Sequence, residues 1–128
     1  MTPDIAFDRR ITWHGSSPSE HGSRAELCFK ARRGPETVIC RVPLEAIVNA
    51  LHAPAVRSGV LQLDDYSGYD AEMRLCERLF DEYHNAFREL AREKIALGNF
   101  ALPLGDMKSI LLSEEELLRK LQELQRPH

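Results

Sequence analysis

Between Asp70 and Leu97, Met73, Cys76, Phe80, Tyr83, Phe87 and Leu90 recur at spacings of three and four. That spacing lines them up along one side of an α-helix and gives no coherent face in a strand. Leu79, Ala86, Ala91 and Ile95 widen the stripe, so the helix needs a broad apolar surface, most simply a sheet, to cover it. Asp70 is suited to an N-cap, and Gly98-Asn99 supplies a stop signal. The spacing predicts one long central helix over 70–97.

Upstream the period changes to two. Ile5, Phe7, Ile11 and Trp13 fall at even spacings around Asp8-Arg9-Arg10, which predicts an N-terminal strand or extended arm. Gly15 to Ser23 is turn chemistry throughout and reads as a flexible loop 15–23. Two alternating runs then flank Arg32-Arg33-Gly34-Pro35, predicting a β-hairpin over 24–42 with a four-residue loop. Setting Leu27 opposite Cys40 places Ala25 against Val42 and Phe29 against Val38 on one apolar face. On the other face Glu26 meets Arg41 as an opposite-charge pair. The same register sends Cys28 and Cys40 to opposite faces, where a disulfide between them is geometrically excluded.

Pro43 suits the first turn of a helix, and Leu44, Ile47, Val48 and Leu51 complete a short helix over 43–53, closed by Pro54, Ser58 and Gly59. Val60 to Leu63 is a candidate short strand before the turn-rich Asp64 to Gly68. Phe100 to Leu104 carries Pro103 and suits an irregular or edge segment. Ser109 to Leu112 fits a late strand over 109–112. Ser113 and Glu116 have capping-box spacing, and Leu117, Leu118, Leu121 and Leu124 mark a C-terminal amphipathic helix over 114–125. The expected fold is α+β: a small antiparallel sheet of arm, hairpin and late strand, packed against the long helix. One domain is expected over 1–128, with a leucine-rich helical extension 114–126.

Composition agrees with a packed domain, since 43% of residues are hydrophobic and 29% charged. No apolar run approaches the roughly 20 residues that cross a bilayer, and the N-terminus has no basic-then-apolar leader, so a cytoplasmic protein without membrane contact is expected. Cys28, Cys40 and Cys76 lack CxxC spacing and are expected to be buried thiols. A net charge of −3 speaks against a general nucleic-acid binder.

The order of elements resembles the bacterial family called domain of unknown function 1488. The matching features are Phe7, Arg10 and Trp13 in the arm, and Val38-Ile39-Cys40-Arg41-Val42 leading into Leu44-Glu45-Ala46-Ile47. Further on they are Phe87, Arg88, Ile95 and Gly98, and a late strand leading into Ser113-Glu114-Glu115-Glu116-Leu117. The resemblance implies an α+β fold and brings no reaction, ligand or catalytic residue with it. The 15–23 loop, the 54–69 connection and the leucines after Leu118 depart from the pattern.

Three constellations bear on function. Glu77, Asp81 and His84 fall at i, i+4 and i+7 and form the one candidate metal set, though they border the apolar stripe where water reaches them. Arg32 and Arg33 at the hairpin tip, with Arg9, Arg10, Arg24, Lys30 and Arg41 near in sequence, could face phosphate groups, but a solvated turn with protective edge charges explains them more simply. Asp64 to Asp70 lacks the spacing of a calcium loop. No nucleotide cradle and no nucleophile with an assignable base is readable, so no cofactor and no catalytic residue is expected. Leu117, Leu118, Leu121 and Leu124 are the expected partner interface if their own domain leaves them uncovered. The expectation is therefore a non-enzymatic interaction or regulatory module, self-associating through its last helix, with metal binding and nucleic-acid binding as alternatives.

Overall fold

The computed structural model describes residues 5–14, 25–59 and 69–125. Val60 to Leu63, Asp64 to Gly68, the 15–23 loop and Arg24 lie outside them. Five strands form one sheet: β1 (Ile5–His14), β2 (Glu26–Arg33), β3 (Glu36–Pro43), β4 (Ala101–Leu104) and β5 (Met107–Leu111). Its order is β1-β2-β3-β5-β4. Four helices accompany it: α1 (Leu44–Arg57), α2 (Tyr69–Glu82), α3 (His84–Ala96) and α4 (Glu114–Gln125). The α+β class is as expected from the sequence.

The sheet is mixed rather than purely antiparallel. β3 and β5 run parallel, pairing Ile39 with Ser109 and Cys40 with Ile110. A parallel neighbour requires a crossover, and α1, α2, α3 and β4 fill the intervening chain. β4 is an edge strand, as Pro103 demands. The late strand begins at Met107, two residues before the expected 109.

The hairpin keeps its predicted faces but not its predicted register. Leu27 pairs with Val42, Phe29 with Cys40, and Ala31 with Val38, a slip of two residues that leaves every side chain on its own side. Only Gly34 and Pro35 form the turn, with Gly34 at φ 60. A positive-φ glycine before the fixed ring of proline is the type II′ arrangement that two-residue hairpins favour. Glu26 and Arg41 still meet, diagonally, at 2.8 Å.

The helical stripe over 70–97 is divided. Tyr83 leaves helical geometry at φ −110, ψ 26, separating α2 from α3. The His84 ring bonds the Asp81 carbonyl at 2.9 Å, and Ala86 N–H turns back to the Tyr83 carbonyl. Local side-chain bonding of this kind competes with the regular ladder. α1 runs through Pro54 to Arg57 rather than ending at residue 53. Proline removes one hydrogen bond there, while fully buried Ala55 keeps the last turn packed.

One buried cluster joins all four helices to one side of the sheet. Phe29 from β2 touches Phe7, Phe80 and Phe87, with ring centroids 5.1 to 6.5 Å apart. Leu117 and Leu121 bring α4 into the same cluster. Cys28, Ile39 and Ser109 alternate with the core residues of their strands and lie outside the cluster, on the sheet's other face. Among the described residues no helix covers that face.

Candidate functional site

The uncovered face takes its shape from β1. Phe7 pairs with Ala31 and Ile11 with Phe29, so three residues of β1, Asp8-Arg9-Arg10, span what Lys30 alone spans on β2. Bulges bend an edge strand and re-aim its side chains. Because two extra residues are inserted, Phe7 and Ile11 both stay with the core, while the charged triplet is lifted out beside Lys30. A long flat edge is thereby also made poor at pairing with another strand.

A cleft of about 550 Å3 opens at the bulge. Its floor is buried Cys28 and Ile39, with Phe29 between them in the lining although its ring packs into the core on the other side, and its rim carries exposed Arg9, Arg10, Lys30 and Arg32. Thr12 and His14 extend the rim along β1. The one carboxylate of the lining, Asp8, stands 3.4 Å from Arg32. Among the described residues Arg9, Arg10 and Lys30 form no ion pair. Four cations against one carboxylate make this a positive patch on a chain of net charge −3.

The other expected arginines are occupied elsewhere. Arg33 bridges Glu36 at 2.9 Å and donates to the Ile95 carbonyl at the end of α3. Arg41 is held by Glu26. The positive surface therefore gathers at the bulge, with Arg32 of the two hairpin-tip arginines on its rim and Arg33 turned to other partners.

Glu77, Asp81 and His84 do line one cleft, of about 420 Å3, beside β1. Glu77 Oε1 accepts the Trp13 Nε1 hydrogen bond at 2.9 Å. A carbonyl can only accept, so the bond to Asp81 places the His84 proton on Nδ1. Arg9 and Arg88 line the same cleft, and two guanidinium groups oppose a bound dication. No group of three His, Cys, Asp or Glu among the described residues is arranged to hold a metal ion.

All three cysteines are buried free thiols. Burial, with Glu26 adding to it, pushes Cys28 up to about 11; burial, with Cys28 nearby, pushes Cys40 up to about 12. Burial beside Glu72 and Glu77 raises Cys76 to about 12. Thiols so disposed are inert packing groups. Of the leucines expected at a partner interface, Leu117 and Leu121 are buried in the chain's own core, Leu118 packs partly against it, and Leu124 is exposed.

Asp8, Thr12, His14 and Ile39 are the residues of the uncovered face that motif reading passes over. Their signal is the charged triplet interrupting an otherwise alternating strand. Comparison with protein-family models, with curated proteins and with solved structures returns no match.

Proposed function

We propose that the protein is a non-enzymatic binding module that receives an anionic partner on the uncovered face of its sheet. The observation that supports this reading is the cleft at the β1 bulge, where Arg9, Arg10 and Lys30 surround an apolar floor without ion pairs among the described residues. A concave apolar floor with a few convergent charges is the usual form of a ligand site. Burial raises the cleft's one thiol, Cys28, to about 11, which disfavours the thiolate that nucleophilic catalysis needs.

Cation-exchange retention tests the reading. Wild type at neutral pH should be held on a sulfonated resin despite its net negative charge, and Arg10→Glu with Lys30→Glu should abolish retention. Arg57→Glu with Arg74→Glu, on the helical side, should leave it largely intact. Equal loss in both double variants would refute a localised face.

Self-association is the lesser part of the proposal, because only Leu124 of the four leucines is substantially exposed. Light scattering of wild type and Leu124→Asp decides it. Kinship with the domain of unknown function 1488 family is likewise proposed, on the residues that carry the resemblance and on the shared order of elements.

A further inference from the structure

Resting on that reading of the uncovered face, we infer that the ligand is a small phosphorylated molecule carrying at least two adjacent negative charges. The cleft, at about 550 Å3, falls within the range of small-molecule sites, roughly 300–1,000 Å3. A single carboxylate would leave most of the cations uncompensated. A diphosphate concentrates its charge within the width of one cleft. The guanidinium groups of Arg9 and Arg10 can each take two phosphoryl oxygens, while Lys30 acts as a compact point charge.

The walls favour a ligand with an organic part. Cys28 and Ile39 at the base of the cleft are almost fully buried, so an apolar body next to the phosphates is covered chiefly by the hydrocarbon stems of the rim cations. A single-stranded nucleic acid fits less well. Sheets that bind such strands stack bases on exposed aromatic side chains, and the one aromatic in the cleft lining, Phe29, is buried with its ring packed on Phe80 and Phe87. Phe7 and Trp13, the aromatics of β1, pack toward the core.

Titration calorimetry on the full chain tests this with four probes: inorganic pyrophosphate, adenosine diphosphate, citrate and a short oligothymidylate. Pyrophosphate and adenosine diphosphate should bind, the second more tightly. Lys30→Gln and Arg10→Gln should each weaken both by about tenfold, the loss of roughly one charge-assisted contact. Lys30 and Arg10 are exposed, so circular dichroism should show both variants folded, and either alone is a sufficient test. The inference fails if neither phosphate compound binds at about 10 mM, a Kd worth only a few kcal/mol. It also fails if Lys30→Gln binds as wild type does, if citrate binds more tightly than pyrophosphate, or if the oligothymidylate binds more tightly than adenosine diphosphate. Resin retention with calorimetric failure would leave the binding face standing and remove only the ligand class.

Discussion

The Lys94 ammonium lies 2.9 Å from the Glu116 carboxylate and joins the last turn of α3 to the first turn of α4. Lys94 also donates to the Leu111 carbonyl at the end of β5, and Glu116 accepts from both the hydroxyl and the N–H of Ser113. One ion pair thus ties a strand end, a helix end and a helix start together. The capping box read from Ser113 and Glu116 is formed, and it recruits a partner from a distant element. Glu116→Ala is expected to cost about 2 kcal/mol, a lost cap together with a half-buried ammonium left without its carboxylate. Urea denaturation measures it, and Glu116→Gln should recover part of the loss.

The same contact predicts a pH dependence. Partial burial works against the charged form of Glu116, but hydrogen bonds from Lys94 and Ser113 outweigh it, and the pKa lies below the ordinary 4.5. A depressed pKa means the unfolded chain binds protons more readily, so this contribution is fully present above the unfolded value and is lost as pH falls through the folded one. Thermal melts from neutral pH downward should show Tm falling below about pH 4.5, with a shallower fall in Glu116→Gln.

Trp13 is the one tryptophan of the chain, and its bond to Glu77 makes it a reporter for the cleft beside β1. Glu77→Ala should change its fluorescence and cost about 1 kcal/mol or less, since the bond is exposed. Zinc or manganese should leave the wild-type emission unchanged. A saturable metal-induced change would revive Glu77, Asp81 and His84 as ligands.

Two of the three cysteines should be silent in the native state. Cys40 and Cys76, both raised to about 12 and buried, should be alkylated only on unfolding. Cys28, raised to about 11 and lining an open cleft, should be the first modified. Timed iodoacetamide labelling with peptide mass spectrometry gives the order. Early labelling of Cys40 would place it outside the core.

Asp8 subtracts from the positive cleft. Asp8→Asn should strengthen binding of an anionic probe about threefold while costing about 1 kcal/mol of stability or less, because its pair with Arg32 is largely solvated. Paired binding and urea measurements check both halves.

The apolar periodicities were enough to place the hairpin, α1, the α2–α3 stripe, the late strand and α4. What they missed has specific causes. Glu26 and Arg41 suggest a directly opposed pair, yet a diagonal contact satisfies the same charges, and a slip of two residues preserves both faces. Side-chain period therefore cannot separate the two registers. The break at Tyr83 is invisible because the apolar stripe passes through it, while its signature, the His84 ring on the Asp81 carbonyl, is a local geometry. The arginines near the hairpin were visible as a basic set, but Arg33 and Arg41 are spent on their own chain. The bulge that gathers Arg9, Arg10 and Lys30 depends on pairing between β1 and β2. Four leucines in α4 look alike in sequence, yet packing against α1 and α3 buries two of them fully.

Backbone amide shift mapping during titration with a short sulfated oligosaccharide, a generic polyanion, tests the binding face most directly. Shifts should cluster at Arg10, Thr12, Cys28, Lys30 and Ile39 and saturate together. Shifts centred instead on Glu77, Asp81 and His84 or on α4, or no shifts at all, would contradict a cationic binding face on the uncovered side of the sheet.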